Sequence, residues 1–213
     1  ARHGKPGIVL VWRELQVSPE EEWIVLVPVK ALVLAKSRLA VGADRRRQLA
    51  LDFATHTVSV ASRVPHVKHT VVITDDDEVV RRLMAPGVSF LSEPAGRPGL
   101  NACLERSARA VRERRRAPLA ILVADLPRLA DAELARALDC AASYDRAVVA
   151  DADGAGTTLL TAGRGLMPQP CFGQDSFRRH VSRGYTPLAG NWPGLRRDVD
   201  ILDHLCAVEE WIP

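Results

Sequence analysis

Apolar residues come in short blocks separated by amphipathic stretches, and the blocks recur every 20–30 residues. Trp23–Val29 is a continuous apolar run, which suits a strand buried on both faces. A helix follows from about Asp44, read as its cap, to Ala61. Thr70–Ile73 predicts a second strand. Asp75, Asp76 and Asp77 open a second helix that stops before Pro86, with the carboxylates at the positive end of the dipole. Val88–Leu91 predicts a third strand. Leu100, Leu104, Ala108 and Val111 share one face of a helix over Leu100–Arg112. Leu119–Val123 and Arg146–Ala150 predict the fourth and fifth strands, with a helix over Asp131–Ala142 between them. Such alternation is the mark of right-handed βαβ crossovers and a mostly parallel sheet.

After Asp151 the alternation loosens into Gly- and Pro-rich loops. A short helix is expected over Phe177–Ser182, a strand over Arg196–Val199 and a helix over Leu202–Trp211. This half reads as a cover over the sheet. Residues 1–20 read as an N-terminal extension, and residues 21–213 as one domain. Ligands on parallel sheets bind beyond the carboxyl ends of the strands, so the residues just after each strand are the candidates for chemistry.

Composition narrows the choice. The chain has 213 residues, of which 47% are apolar and 26% charged. That excludes a disordered chain and a coiled coil. No apolar run approaches a membrane span. The apolar patch Ile8–Trp12 is too short for a signal peptide, so no membrane partner and a cytoplasmic location are expected. Net charge is only +3, and 5% of residues are aromatic. A nucleic-acid partner is therefore not expected. The bases are lopsided, with 25 Arg among 29 Lys and Arg. The four Lys then stand out. The four cysteines, Cys103, Cys140, Cys171 and Cys206, lie far apart, which excludes a zinc ribbon or a CxxC redox pair.

Two familiar motifs fail on inspection. Asp151–Gly156 begins like a calcium loop, but Ala162 stands where a bidentate Glu is needed. It is also no dinucleotide fingerprint, because Leu159 replaces the third Gly. No Walker A loop or HExxH is present, and no His spacing suits a metal.

Four loops carry the chemistry instead. Lys30, Lys36 and Arg38 follow the first strand, where cations hold phosphates. Asp125 directly follows the fourth strand, a place for a carboxylate that binds Mg²⁺. Asp153–Thr158 and Phe172–Ser176 combine Gly with hydroxyls, and the second precedes a helix, so both read as anion nests. Asp198 and Asp200 would share one face of a strand, an arrangement that is costly without a cation. Together these make a site for two phosphorylated substrates and Mg²⁺. Nucleotidyl transfer from a nucleoside triphosphate uses all of these parts.

At these residues the chain resembles the 2-phospho-L-lactate or phosphoenolpyruvate guanylyltransferases, enzymes of coenzyme F-420 biosynthesis. The resemblance rests on VPVKALVLAKSRLA, VADLPRL, DGAGTTLL, CFGQDSFRRH and LRRDVDILDHL, and spans about residues 23–211. It implies a Rossmann-like nucleotidyltransferase fold, an α/β structure with a mostly parallel sheet and helices on both faces. It implies transfer of GMP from GTP to phosphoenolpyruvate or 2-phospho-L-lactate, with release of pyrophosphate. It assigns Thr158, Gly173 and Ser176 to the phosphate of phosphoenolpyruvate, and Asp125, Asp198 and Asp200 to Mg²⁺. Lys30, Lys36 and Arg38 would offset triphosphate charge, and Asn101 would read the base edge alongside Lys30 and Arg38 in the nucleotide site. Two positions depart from the pattern: Ile201 where Thr is usual, and Asp175 where Gly is common. The alternatives are a molybdopterin or sugar-phosphate nucleotidyltransferase, which would carry a Gly-rich loop where Pro28–Ala31 stands, and a non-catalytic nucleotide-binding protein, which would lack the paired carboxylates.

Overall fold

The computed structural model describes residues 22–30, 42–93 and 99–199. Its elements are β1 (Trp23–Pro28), α1 (Ala43–Arg63), β2 (Val67–Ile73), α2 (Asp77–Leu83), β3 (Val88–Leu91), α3 (Leu100–Arg112), β4 (Leu119–Leu122), α4 (Asp131–Ala141), β5 (Arg146–Ala150), β6 (Thr157–Ala162), α5 (Ser176–Ser182), β7 (Thr186–Pro187) and α6 (Pro193–Arg196). Seven strands form one sheet in the order β3-β2-β1-β4-β6-β5-β7. β1 pairs in parallel with β2 and β4, β2 with β3, and β5 with β7. Only β6 runs against its neighbours, β4 and β5.

Side-chain alternation along the strands builds two cores. Trp23, Val25 and Val27 face α1, α2, α4 and α6, through Val58, Val79, Leu138 and Leu195. Ile24 and Leu26 face α3, through Leu104 and Val111, and are joined there by Tyr185, Phe172 and Phe177. β1 is thus covered on both sides, as its unbroken apolar run predicts. Each such side chain contributes about 2 kcal/mol by leaving water. The α/β class, the mostly parallel sheet and helices on both faces all hold.

Local chemistry explains the boundaries. Gly42 precedes α1, and Asp44 lies within its first turn. Asp44 is therefore not the cap, although its charge still favours the dipole. α1 ends at Val64, which is extended because Pro65 follows. The Asp76 carboxylate caps α2, accepting from the backbone N–H groups of Glu78 (3.0 Å) and Val79 (3.4 Å). β2 starts earlier than expected, because Val67 and His69 pair with Trp23 and Ile24.

Three expectations change. Thr157–Ala162 is a fully buried central strand and not part of a loop. β-branched Thr suits such a position, and Thr161 Oγ1 donates to the Ala147 carbonyl (3.3 Å). Only residues 151–156 join β5 to β6, too few for a crossover, so β6 returns antiparallel. The two-residue β7 was also not expected. Arg196–Val199 is not a strand: Pro193 at a helix start makes Pro193–Arg196 one helical turn, and residues 197–199 follow it in irregular conformation. Residues 1–20, the helix expected over Leu202–Trp211, and Lys36, Arg38 and Asp200 lie outside the described residues.

Candidate active site

The carboxyl ends of β1, β4 and β5 lie along one edge of the sheet. Because β6 is reversed, its first residues, Thr157 and Thr158, reach that same edge. Lys30 is exposed just beyond β1, and the neighbouring Val29 N–H is tied to the Ile73 carbonyl (2.9 Å).

The loop after β4 is held from three sides. Thr57, wholly buried on α1, donates its hydroxyl to the Ala124 carbonyl (3.2 Å) and accepts from the Leu126 N–H (3.2 Å). One side chain thus grips both peptides that flank Asp125. The preceding residue, His56, bonds through Nε2 to the Leu129 carbonyl (2.9 Å). From the other side, the Val199 N–H donates to the Asp125 carbonyl (3.2 Å). That bond brings the 198–199 stretch against Asp125. Val199 is buried while Asp125 and Asp198 are partly exposed. Among the described residues no three His, Cys, Asp or Glu side chains group into a metal cage. Asp200, the third expected carboxylate, is not among those residues.

The Arg196 of the same segment serves the fold. Its guanidinium donates to the carbonyls of Ala150 (3.2 Å) and Leu188 (2.9 Å), which ties α6 to the end of β5.

The hydroxyl-rich half sits beside the β4 loop, since the Val123 N–H donates to the Thr158 carbonyl (3.0 Å). Thr158 occupies a bulge: Val149 faces Leu159 and Ala150 faces Thr157, so Thr158 has no opposite residue on β5. Its hydroxyl is buried and has no hydrogen-bond partner among the described residues. Leaving such a group unpaired costs about 1–3 kcal/mol, so a partner from outside the described residues would stabilise it. Gly173 has a φ of 118°, a region closed to other residues. Its carbonyl accepts the Ser176 N–H (3.1 Å), so Gly173 and Ser176 share one turn. The Ser176 Oγ lies 3.2 Å from Thr157 Oγ1.

Two nests turn out to be occupied by the chain itself. The Asp151 carboxylate accepts the N–H groups of Ala155 (2.9 Å) and Gly156 (2.6 Å). A Cβ on Gly156 would lie 2.2 Å from Asp151 Oδ2, so a side chain there would push the carboxylate out of this loop. The anion in the Gly154–Gly156 loop is therefore Asp151. At α5, Ser176 N–H serves Gly173, Phe177 N–H serves Ala155 (3.0 Å), and Arg179 N–H serves Asp175 (3.1 Å). A phosphate here must rely on hydroxyls and on the 173–175 turn, more than on the helix end. Asn101, expected in the nucleotide site, is held by the Phe172 backbone. Its amide donates to the Phe172 carbonyl (3.0 Å) and accepts the Phe172 N–H (2.8 Å), so it steadies the Gly173 loop.

His180 is the residue that the sequence pattern missed. It is fully buried, with Nε2 accepting the Cys171 N–H (2.9 Å) and Nδ1 3.0 Å from Thr157 Oγ1. Burial pushes its pKa down to about 4, helped by the charges of Arg183 and Arg179 and partly offset by a bond to the Ser176 carbonyl. The folded value lies below the ordinary 6.5, so the unfolded chain binds a proton that the folded one refuses. Stability held above pH 6.5 is then lost as pH falls towards 4. By pH 5 the loss from this group should reach about 2 kcal/mol. Urea melts at pH 7 and pH 5 should show that extra loss in the wild type and not in His180→Gln. Equal pH dependence in the two would count against a neutral buried ring.

Comparison with known proteins gives the geometry a family. Residues 23–185 match the model of the guanylyl transferase CofC-like family. The phosphoenolpyruvate guanylyltransferase of Streptomyces coelicolor is 46% identical over 184 residues, covering 84% of this chain and 86% of that one. The phosphoenolpyruvate guanylyltransferase of Mycolicibacterium gilvum is 37% identical, covering 91% and 92%. In fold, the chain is similar to a nucleotidyl transferase from Methanothermobacter, with a TM-score of 0.59, 15% identity, and coverage of 89% and 96%. It is also similar to a Mycobacterium tuberculosis protein solved in complex with manganese, with a TM-score of 0.53, 20% identity, and coverage of 90% and 100%. Descent and fold agree, and the chain belongs to the guanylyl transferase CofC-like family.

Proposed function

We propose that the protein transfers GMP from GTP to phosphoenolpyruvate, releasing pyrophosphate, as a step in making coenzyme F-420. One observation carries this reading: the Val199–Asp125 bond brings two acidic segments together at the sheet edge, next to Thr158, whose hydroxyl has no partner among the described residues. A carboxylate site and a phosphate site side by side are what phosphate attack on a nucleotide needs. Relatives named phosphoenolpyruvate guanylyltransferase support the choice of substrates.

In this reading Thr158, the Gly173 turn and Ser176 hold the acceptor phosphate. A phosphate oxygen attacks the α-phosphorus of GTP in line, and pyrophosphate leaves. The phosphate is already ionised, so no general base is required, and the protein contributes position and charge. Asp125 and Asp198 are hard oxygen donors on adjoining segments, which suits Mg²⁺. With Asp200 they would hold the ion, which supplies charge neutralisation at the triphosphate. Lys30, exposed just beyond β1, would face the nucleotide, with Lys36 and Arg38 as its expected companions.

Pyrophosphate release should appear with GTP and phosphoenolpyruvate. Each other nucleoside triphosphate, and 2-phospho-L-lactate as acceptor, serve as the competing arms. Release with a different pair and none with this one would refute the assignment. Lys30→Ala should raise the KM for GTP about tenfold, the cost of one bond to a charged group, and the KM for phosphoenolpyruvate much less. The reverse order would mean the two substrate sites are exchanged. Among the described residues no helix is long and apolar enough to cross a membrane.

A further inference from the structure

A line of four buried groups runs from the Gly173 loop to Ser176. The Cys171 N–H is a backbone group and can only donate, so His180 Nε2, 2.9 Å away, must hold a lone pair. A neutral imidazole carries one hydrogen, which is therefore on Nδ1. Nδ1 faces Thr157 Oγ1 at 3.0 Å and directs its one hydrogen at that oxygen and at the Ser176 carbonyl together. Thr157 Oγ1 in turn lies 3.2 Å from Ser176 Oγ. Exposure is 1% at Cys171, 0% at His180, 6% at Thr157 and 2% at Ser176, so water does not compete for these bonds. The ring cannot turn over freely. Phe172 and Tyr185 meet it edge-on, at centroid distances of 5.2 and 5.5 Å.

The hydrogen count then restricts Thr157. Its oxygen has two lone pairs and one hydrogen. His180 fills one lone pair and, having no lone pair on Nδ1, cannot take the hydrogen. The Thr157 hydrogen is left free to turn towards Ser176. If the imidazole hydrogen were on Nε2 instead, Nδ1 would draw the Thr157 hydrogen inward. Thr157 would then only accept from Ser176, and the Ser176 hydrogen would point away from any ligand.

We propose that His180 and Thr157 are positioning residues that aim the Ser176 hydroxyl at the anionic group of the acceptor substrate. Without ligand, Ser176 donates inward to Thr157. When the anion arrives both hydroxyls rotate: Thr157 donates to Ser176, and Ser176 donates to the anion. No proton changes owner. The relay begins at Cys171, two residues from Gly173, so the loop that shapes the site also fixes the tautomer that orients its donor. The inference rests on the reading that Ser176 meets the acceptor phosphate.

A double-mutant cycle tests it, with KM for phosphoenolpyruvate and for GTP as separate readouts. Ser176→Ala should raise the phosphoenolpyruvate KM about tenfold, the loss of one bond to a charged group. Thr157→Val, which keeps the shape and removes the hydroxyl, should raise it by about fivefold or more, on the scale of that same bond. The GTP KM should stay within about twofold, and Thr157→Ser should restore the wild-type value. In the Ser176→Ala background, Thr157→Val should add less than about twofold, because coupled residues do not act additively. A full additional effect there would overturn the relay, since Thr157 would then act without Ser176. A normal phosphoenolpyruvate KM in Ser176→Ala would instead remove the reading beneath it, and the relay with it. Should Thr157→Val not fold, long-range ¹H–¹⁵N spectra of the wild type decide. They should show the His180 hydrogen on Nδ1 with and without phosphoenolpyruvate. A hydrogen on Nε2 would overturn the proposal.

Discussion

Asp198→Asn is expected to abolish guanylyl transfer while leaving the fold intact. The substitution keeps the shape and removes one negative charge from the point where the 198–199 stretch meets Asp125. Val199 is buried and its backbone bond to Asp125 does not involve the Asp198 side chain, so the segment should stay in place. An amide holds a hard divalent cation far less well than a carboxylate does. Losing the ion would leave the triphosphate charge uncompensated as the phosphate oxygen approaches, a loss on the order of a thousandfold in kcat. Pyrophosphate release measures the rate, and calorimetry with Mg²⁺ or Mn²⁺ alone measures the ion. A melting temperature close to wild type should accompany both losses. Near-normal turnover would sink the assignment of Asp198.

Gly194→Ala is expected to have the second large effect, from a residue that touches no substrate. A Cβ there would lie 2.0 Å from the Arg128 carbonyl oxygen and 2.5 Å from Glu133 Oε2. The Gly194 N–H donates to the buried Glu133 carboxylate (3.1 Å), whose other oxygen accepts the Ala130 N–H (3.3 Å). α6 is thus pinned on the start of α4, and the segment bearing Asp198 leaves from that pin. Forcing a methyl into the contact should cost about 3 kcal/mol. It should also lower kcat in the folded fraction, because moving α6 moves Asp198 away from Asp125. Urea melts and the same pyrophosphate assay test both parts. Gly42→Ala is the control, since a Cβ there meets nothing within 4 Å among the described residues. A wild-type melt for Gly194→Ala would show that α6 yields without cost.

The βα alternation was legible because its signals are local. β1 and β4 are unbroken apolar runs, β5 is one from Ala147 onward, and α3 shows its buried face as Leu104, Ala108 and Val111. β6 was hidden because its Thr residues suit a loop as well as a strand, and only its place between β4 and β5 decides. The carboxylates and hydroxyls of the candidate site could be named from their loops and from the family resemblance. Their supports could not. Nothing in the sequence around Thr57 tells that its hydroxyl grips residues 124 and 126, far along the chain. Nor does a Gly-rich loop reveal that Asp151 already fills it. His180 looks like one more polar residue beside Arg179 until burial makes it neutral. Asp175 was legible as a departure, and the structure gives it a cost: its φ of 53° is a left-handed conformation that Gly adopts freely and Asp tolerates.

The smallest strand has a consequence for how molecules of this protein meet one another. Among the described residues β7 ends the sheet on its β5 side with two residues, the second of them Pro187, which has no N–H to offer. A sheet end of that kind gives an incoming strand almost nothing to pair with, and short proline-bearing edges are a recognised defence against edge-to-edge aggregation. Among the described residues, the side of the sheet nearest β5 and β6, which carries the hydroxyl-rich half of the candidate site, therefore offers little to growth by strand addition.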